Sequence, residues 1–240
     1  MLGVSRETVY HKHPLWFINY TLKSMDTLPE IKTLFPQLTD DQFDTLVHFS
    51  DLIISYNQRF NLVSRADVHN LWSHHILPSI IVDCLVEIPV AAAVIDLGSG
   101  GGFPGIPLKI TRPDLQMVLV DSVRKKVLFL KKVIRELNLS NLTALNVRIS
   151  PKEDSYQLKN RFDVVTARAV ASLQKLLDLT VFLLKPNGYI LSWKGEKDLV
   201  ELENDSISRL CEYEVISVPP KYHPYSDKFS NMRLIKLIPI

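Results

Sequence analysis

The sequence VIDLGSGGGFPGIPL, from Val94 to Leu108, decides the fold of this chain. A short apolar run ends in Asp96, and a glycine-rich turn follows it, made of Gly98, Gly100, Gly101, Gly102 and Gly105. Only glycine adopts positive φ angles without steric cost, so the pattern predicts a strand that ends, turns sharply and leads into a helix. The first turn of such a helix presents unpaired backbone N–H groups. The stretch is therefore typical of a site for a nucleotide-type cofactor.

Two cofactors compete for this turn. Gly100, Gly102 and Gly105 match the dinucleotide pattern GxGxxG, but so many glycines satisfy several patterns at once. Asp96 instead opens a D-x-G-x-G-x-G pattern, which places a carboxylate at the end of the first strand. A carboxylate there attracts the ammonium group of S-adenosylmethionine and repels a pyrophosphate. The residues favour S-adenosylmethionine over NAD.

Asp121 ends the second apolar run, Met117 to Val120, and follows Asp96 by 25 residues. An acid in this place accepts hydrogen bonds from a ribose. Both cofactors contain a ribose, so Asp121 supports the fold without deciding the ligand.

The rest of the chain alternates between apolar strands and amphipathic helices. The pattern predicts strands at Val94–Leu97, Met117–Val120, Leu142–Val147, Phe162–Ala167 and Tyr189–Trp193, with a closing antiparallel pair at Tyr213–Val218 and Met232–Leu237. The intervening helices are predicted at 106–110, 123–137 (capped by Ser122), 173–184 and 197–210, with a turn at 185–188. This alternation predicts an α/β fold, a Rossmann-like, doubly wound and mostly parallel seven-stranded sheet.

Three regions are expected along the chain. Residues 1–24 have no sustained periodicity and are interpreted as a disordered or non-native extension, with a functional arm containing Trp16 and Phe17 as the alternative. Residues 25–90 form a helical N-terminal segment, with one helix from about Thr39 to Phe60 and a second capped by Asp67. These helices are expected at the sheet's open edge or over the cofactor cleft. Residues 91–240 form the cofactor-binding domain.

The composition excludes several classes of protein. The chain has 240 residues, a net charge of +2 and two cysteines, Cys84 and Cys211. A disulfide framework is therefore not expected, and a reducing cytoplasm fits. No apolar run approaches the roughly 18 residues of a membrane helix, and charged residues interrupt any signal peptide. We expect a cytoplasmic protein without a membrane association.

The sequence resembles the RsmG (GidB) family, the bacterial methyltransferases that act on N7 of guanine 527 in 16S ribosomal RNA. The resemblance rests on DLGSGGGFPGIPL, LVDS with RKKVLFL, FDVVTARAVASL and LKPNG, and on an upstream YNQRFNL followed by HIL. It covers roughly residues 38–240, and FPGIP is its most specific part. It implies a class I S-adenosylmethionine-dependent methyltransferase fold, that cofactor, and 16S rRNA or the small ribosomal subunit as partner. A monomer is the expected oligomeric state.

The expected cofactor residues come mainly from the glycine turn. Gly98, Gly100 and Phe103 are assigned to the cofactor, with Asp121 on its ribose and Asp96 as an indirect organiser. The alternative for Asp96 is an acid that caps the following helix.

The resemblance also implies that the segment after the third strand, Ile149 and Ser150, contacts the adenine. The family usually has an acid where Ser150 stands. Glu153 or Asp154 could therefore substitute for it, or the backbone alone could hold the adenine.

Methylation at N7 of guanine needs no general base, because this nitrogen already carries a lone pair. The transfer then depends on positioning and on the electric field around the reacting atoms. Arg168 follows the fourth strand into the crevice, and the resemblance implies a role at the cofactor and target base; a salt bridge to Asp163 or Glu153 is the alternative. Lys194, after the fifth strand, is a candidate for RNA phosphate or guanine, or else an ordinary surface lysine.

Two adjacent histidines lie in the upstream motif. His75 matches the family and is assigned to the target pocket, whereas His74 and Pro78 stand where the family has arginine and aspartate. We expect no metal, because the two histidines face different sides of a helix and no set of cysteines or carboxylates joins them.

Basic and aromatic residues leave two further questions open. Arg59, Arg65 and the basic helix 124–135 could bind RNA if they share the rim with Lys194 and Arg233, although a solvated helix face explains them equally well. Phe60, Trp72 and Trp193 could stack on an extruded base, but core packing is the favoured interpretation.

The alternatives to this function are a methyltransferase for another substrate and a non-catalytic, ribosome-associated RNA-binding protein. An NAD oxidoreductase is the most distant alternative. The intact glycine turn counts against a protein without turnover.

Overall fold

A computed structural model of the chain describes residues 28–151, 153–203 and 205–240. Its contacts separate a unit that ends at Thr39 from a unit that spans Asp40–Ile240. The described part of the first unit contains helix α1, Leu28–Leu34, which the N–H of Phe35 extends by donating to the carbonyl of Ile31 at 3.0 Å. The expectations for residues 1–24 lie outside the described residues.

A seven-stranded sheet organises the second unit. Its strands are β1 (Ala93–Leu97), β2 (Gln116–Asp121), β3 (Leu142–Asn146), β4 (Phe162–Arg168), β5 (Leu184–Gly195), β6 (Cys211–Ser217) and β7 (Met232–Pro239). Their order across the sheet is β3-β2-β1-β4-β5-β7-β6. The first five are parallel, and β7 is antiparallel to both β5 and β6. The predicted Rossmann-like, mostly parallel sheet and its closing antiparallel pair are confirmed.

Helices connect the strands and precede them. The α-helices of the second unit are α2 (Asp40–Asn57), α3 (Leu77–Ile80), α4 (Val82–Leu85), α5 (Gly105–Thr111), α6 (Arg124–Glu136), α7 (Leu173–Thr180) and α8 (Asp205–Ser208). A π-helix at Trp72–Ile76 and 3₁₀ segments at Val68–Asn70, Glu153–Leu158, Val181–Leu183, Glu196–Glu203 and Pro220–Tyr225 complete the described set. None of the helices in the described residues is long and apolar enough to cross a membrane.

The strand order reverses beside β1, and this places the site. β1 lies between β2 and β4. The chain passes from β1 to β2 and β3 on one side of β1, and then crosses back to form β4 on the other side. In the register, Asp96 lies opposite Thr166 of β4, and Leu97 opposite Val120 of β2. A crevice forms outside the carboxyl ends of parallel strands at such a reversal. The glycine turn follows β1 at that point.

Side-chain caps were predicted at two helix starts, and both predictions are wrong. The N-cap of α6 is Val123, without a side-chain cap, and Val123 N–H donates instead to Asp121 Oδ1 at 2.8 Å. Asp67 precedes the 3₁₀ turn Val68–Asn70 but does not cap it with its side chain. The carboxylate of Asp121 accepts the N–H of the N-cap residue of α6, and the carboxylate of Asp67 contacts Ser64 and His74. Local capping rules do not anticipate either arrangement.

The helices and the turn predicted between residues 173 and 210 differ from the observed ones in type or in length. The helix predicted at 173–184 ends at Thr180 and continues as a 3₁₀ turn, and the one predicted at 197–210 is mostly 3₁₀. The predicted turn 185–188 lies within the irregular start of β5, where the register jumps from Leu184 to Tyr189 and Asn187 has φ 65°. Apolar spacing does not distinguish an α-helix from the tighter 3₁₀ form.

Candidate active site

The glycine turn after β1 needs glycine at three places. Gly98, Gly100 and Gly102 have φ angles of 63°, 56° and 100°. The turn is closed by Ser99, whose N–H donates to Val120 O at 3.0 Å and whose hydroxyl donates to Asp96 O at 2.9 Å. The loop is therefore bonded to both β1 and β2.

Asp121 fixes this turn from the end of β2. One carboxylate oxygen accepts the N–H of Gly100 at 2.9 Å, and the other accepts Val123 N–H at 2.8 Å. Asn146 donates to the Asp121 carbonyl at 2.9 Å. A carboxylate offers about four lone-pair sites, so Asp121 keeps acceptor capacity for the ribose hydroxyl that the sequence assigned to it.

Asp96 lies under the turn and is completely buried. Oδ1 accepts the Thr166 hydroxyl at 2.8 Å, and Oδ2 has no hydrogen-bond partner within the described residues. Burial raises the pKa of Asp96 to about 6, whereas the hydroxyls of Ser99 and Thr166 and the nearby backbone N–H of Gly105 lower it. A buried carboxylate with an unpaired oxygen favours a positively charged neighbour.

Phe103 and His75 pack together beside the turn. Their ring centroids are 4.9 Å apart, and Phe103 also contacts Phe49 of α2 at 5.3 Å. Burial, followed by the positive charge of Arg168, lowers the pKa of His75 to about 4. His75 is therefore neutral at physiological pH. Its Nε2 lies 3.8 Å from Asp67 Oδ2, too far for a hydrogen bond, and has no hydrogen-bond partner in the part of the chain described.

Arg168, the last residue of β4, connects the sheet to the π-helix. Its Nη2 donates to the carbonyl of His74, while Nη1 is buried and unpartnered among the described side chains and backbone. Burial lowers the pKa of Arg168 to about 10, so the guanidinium stays charged at neutral pH. The alternative of a salt bridge to Asp163 does not hold, because Asp163 pairs with Lys185 at 2.8 Å. Glu153, the other alternative partner, has a side chain outside the described part.

The π-helix Trp72–Ile76 is tied down by side chains from distant segments. His74 lies between two carboxylates, with Nδ1 2.7 Å from Asp67 Oδ1 and Nε2 2.9 Å from Asp227 Oδ1. The hydroxyl of Ser226 donates to the carbonyl of Ser73. A π-helix leaves carbonyls without the usual helical partner, and here Arg168 and Ser226 supply donors.

Ile149 and Ser150 follow β3 on the crevice side of the sheet. Ile149 belongs to the buried apolar cluster, and the N–H of Ser150 donates to Ser155 Oγ at 3.3 Å. Ser150 is partly exposed and presents no acid. The side chains of Glu153 and Asp154, which could substitute for that acid, lie outside the described residues.

Lys194 does not face solvent. Its side chain is 11% exposed, and its ammonium contacts Glu201 Oε1 at 2.7 Å and Ala171 O at 3.0 Å. Arg233, expected on the same rim, pairs with Glu196 at 3.3 Å. Neither residue joins an open basic patch.

One group of predicted site residues thus lies together at the carboxyl ends of the central strands: the glycine turn, Asp96, Asp121, Phe103, His75 and Arg168. Lys194 is not in this group, because it lies behind the loop that follows β4. Sequence reasoning missed Asp67, Thr166 and Glu201. The spacing of Thr166 on β4 opposite β1 was the one available signal, since it places Thr166 at the level of Asp96.

Aromatic residues show mainly core packing. Trp193 is buried, and its indole N–H donates to Pro78 O at 2.7 Å, so it cannot stack on a base. Trp72 packs against Phe43 at 5.6 Å. The basic helix α6 keeps Arg124, Lys125 and Lys131 exposed.

The residues present fit S-adenosylmethionine. Three turn residues adopt left-handed backbone angles, so cofactor atoms can approach the main chain there. The unpaired, buried Oδ2 of Asp96 suits a cationic ligand and disfavours a pyrophosphate. Asp121 would hold the ribose. No cluster of three or more metal-ligating side chains occurs among residues 28–151, 153–203 and 205–240.

Two solved structures that share this fold are described as methyltransferases. A "predicted O-methyltransferase" from Agrobacterium tumefaciens matches with a TM-score of 0.54 at 12% identity, over 67% of this chain and 80% of that one. A SAM-dependent methyltransferase from Aquifex aeolicus matches with a TM-score of 0.51 at 12% identity, over 71% of this chain and 93% of that one. Together with the glycine turn and its two acids, this fold defines a class I S-adenosylmethionine-dependent methyltransferase.

Sequence comparison identifies the family. The family model for GidB, rRNA small subunit methyltransferase G, matches residues 42–224, and the chain belongs to this family. A ribosomal RNA small subunit methyltransferase G from Moorella thermoacetica is 35% identical over 66% of this chain and 66% of its own length. The protein of that name from Chromobacterium violaceum is 34% identical over 73% of this chain and 81% of its own length. The expected family and methyl donor are confirmed.

Proposed function

We propose that this enzyme methylates N7 of a guanine in small-subunit ribosomal RNA, at the position equivalent to guanine 527 of 16S rRNA. Support for the RNA comes from the family and its named relatives. The observation that carries the chemistry is the pair of buried, unpartnered nitrogens beside the turn, Arg168 Nη1 and His75 Nε2, as found in the described part of the chain. The protein would act in the cytoplasm as a monomer.

The reaction needs positioning rather than proton removal. The guanine N7 lone pair forms the new N–CH₃ bond while the C–S bond of the sulfonium breaks and its electron pair returns to sulfur. The products are a cationic 7-methylguanine and neutral S-adenosylhomocysteine. No base is required, which agrees with the pKa of His75, lowered to about 4.

Arg168 and His75 would fix the target base. The guanidinium Nη1 can donate to guanine O6, an acceptor next to N7. Neutral His75 can offer either a donor or an acceptor at Nε2, and its ring is held by Phe103. Asp96 would balance the positive charge of the methionine portion from below the turn.

We propose that the RNA backbone lies along helix α6 without the help of Lys194 and Arg233, which pair with Glu201 and Glu196. Lys126 Nζ is 3.9 Å from the position of a Cβ built on Gly100, so this helix begins at the crevice. Arg124 and Lys125 are exposed on the same helix, and Tyr56 of α2 packs on Phe129 of α6 at 5.2 Å, which brings exposed Arg59 alongside. Lys132 is used locally, over the Tyr56 ring at 4.8 Å.

The test is methyl transfer to small subunits purified from a strain that lacks its own enzyme of this family. Labelled S-adenosylmethionine is supplied, and 7-methylguanine is mapped by borohydride reduction followed by aniline cleavage. One methyl group per subunit at the expected guanine supports the proposal. Methylation elsewhere would assign another substrate, and binding of S-adenosylhomocysteine without transfer to subunits or to free rRNA would favour the non-catalytic RNA-binding alternative.

A further inference from the structure

Lys194 and Glu201 form an ion pair behind the loop that follows β4. Lys194 lies near the end of β5, and Glu201 lies on the 3₁₀ segment Glu196–Glu203. Their atoms Nζ and Oε1 are 2.7 Å apart, and the two side chains are only 11% and 24% exposed. A charge-assisted contact of this length, largely shielded from water, holds its geometry more firmly than a surface pair.

Both members of the pair also hold the loop itself. Lys194 Nζ donates to the carbonyl of Ala171 at 3.0 Å. The second carboxylate oxygen of Glu201 accepts the backbone N–H of Leu173, the first residue of α7. Loop 169–172 is thus attached at its far end by two hydrogen bonds, while its near end continues from Arg168.

The same loop reaches the cofactor side of the crevice. Val170 Cγ2 lies 3.0 Å from the position of a Cβ built on Gly98, so Val170 covers the first glycine of the turn. Ala169 has φ 54°, a left-handed conformation that disfavours alanine. Strained backbone of this kind persists only where its surroundings hold it. The attachments of Lys194 and Glu201 provide that restraint one residue and three residues beyond Val170.

We infer that Glu201 is a positioning residue for methyl transfer, acting through Lys194 and loop 169–172 to hold Arg168 and Val170 against the glycine turn. The inference rests on the proposed function, and it assigns Lys194 to the support of the loop. A direct contact of Lys194 with RNA phosphate is the competing role. The two roles predict opposite effects of removing the charge of Glu201. If Lys194 supports the loop, the change lowers the rate of methyl transfer. If Lys194 binds RNA phosphate, the change frees Lys194 from its ion pair and tightens RNA binding.

The experiment compares Glu201→Gln, Lys194→Met, Lys194→Arg and the Glu201→Gln/Lys194→Met double variant in the full chain. Asp163→Asn is the matched control. Asp163 of β4 pairs with Lys185 at 2.8 Å, near the end of β5 opposite to Lys194, and it also accepts a backbone N–H, that of Ala93 at 2.8 Å. The control therefore removes an ion pair and a backbone contact far from the crevice.

For the positioning role we expect Glu201→Gln and Lys194→Met each to lower kcat by about 10- to 100-fold, with KM for the RNA within about twofold. The double variant should be no worse than either single variant, because both changes release the same loop. Lys194→Arg should recover most of the activity. Asp163→Asn should leave kcat unchanged, although we expect it to lower the melting temperature about as much as Glu201→Gln does.

Two further measurements separate this proposal from the function itself. Hydrogen exchange of the amides in loop 169–172 should accelerate in Glu201→Gln and not in Asp163→Asn, whether or not the wild type methylates rRNA. The inference is overturned if the exchange of this loop is unchanged, or if Glu201→Gln keeps the wild-type kcat. It is also overturned if Lys194→Met weakens RNA binding and lowers its salt dependence by about one ion while Glu201→Gln tightens binding. Failure of the wild-type enzyme on every rRNA substrate would contradict the proposed function alone.

Discussion

The carboxylate of Asp96 is fully buried, and this burial disfavours its ionised form. Because its pKa is raised to about 6 in the folded protein, folding binds a proton between the ordinary value of 3.8 and about 6. The stability that this protonation contributes is fully present below the ordinary pKa and is lost as the pH rises through about 6. Above that pH, Asp96 lowers the free energy of unfolding.

The first prediction is that Asp96→Asn stabilises the protein and weakens cofactor binding. At pH 8 the free energy of unfolding should rise by about 1–3 kcal/mol, because a neutral amide replaces a buried charge and can still accept from Thr166. Urea unfolding at pH 4.5 and pH 8 measures this, and the gain should shrink at the lower pH. In the wild type, affinity for S-adenosylmethionine should decline below about pH 6. The exposed Asp178→Asn is the control, and an Asp96→Asn protein less stable than wild type at pH 8 would contradict the assignment.

A glycine of the turn, Gly105, and a glycine outside it, Gly195 at the end of β5, differ in what a side chain would meet, and this gives a second prediction. A Cβ on Gly105 would collide with Leu119 and lie 2.8 Å from Asp96 Oδ2, whereas a Cβ on Gly195 would meet only Asp198 Oδ2 at 3.5 Å. Gly105→Ala should therefore lower the free energy of unfolding by about 2 kcal/mol or more, since the core must shift to admit the methyl group. Gly195→Ala should change it by about 0.5 kcal/mol or less. Chemical denaturation of both variants tests this contrast, and equal effects would refute it.

At the scale of elements, the π-helix Trp72–Ile76 depends on His74, which lies between Asp67 and Asp227. We predict that His74→Ala lowers the free energy of unfolding by about 1–3 kcal/mol, because the two carboxylates lose the imidazole ring that both contact. His74→Arg should recover much of that loss, since a guanidinium can donate to both carboxylates. Thermal melting measures the effect. Equal melting temperatures for wild type and His74→Ala would mean that the bridge contributes nothing.

The strands and the glycine turn were predictable from sequence, because buried parallel strands are continuous apolar runs and positive φ angles demand glycine. The observed strand bounds differ from the predicted ones by a residue or two at most ends, except at β5, where an irregular register extends the strand back to Leu184. The π-helix could not be predicted. Its donors, Arg168 and Ser226, come from 94 and 153 residues away, and local spacing contains no trace of such contacts.

The site residues also divide into those that local sequence locates and those that depend on distant contacts. The acids at the ends of β1 and β2 are located by their strands, so Asp96 and Asp121 could be found. Lys194 looked identical to a surface lysine, because its role depends on Glu201 and Ala171 in three dimensions. Sequence pattern identifies which backbone forms the crevice and leaves open which side chains support it.

For the whole molecule, the basic residues of α6 and the neighbouring Arg59 should bind RNA through charge and not by reading its base sequence. We predict that Arg59→Ala and Lys125→Ala each weaken rRNA binding and reduce the slope of log affinity against log salt by about 1, as expected for one lost phosphate contact. Filter binding between 50 and 300 mM salt tests the slope. Lys159→Ala, just before β4 and so at the opposite end of the sheet, is the control and should leave the slope unchanged. An unchanged slope in the first two variants would move the RNA interface elsewhere.

The contacts between segment 72–78 and residues far along the sequence also bear on the order in which the crevice wall forms during synthesis. Segment 72–78 leaves the ribosome early, but three of its partners, Arg168, Trp193 and Ser226, follow it by 94, 115 and 153 residues. Loops of this length close late, and the crevice wall cannot be completed before residue 226 has emerged. A nascent chain whose residue 226 has not yet emerged therefore lacks the contact that Ser226 makes with the π-helix.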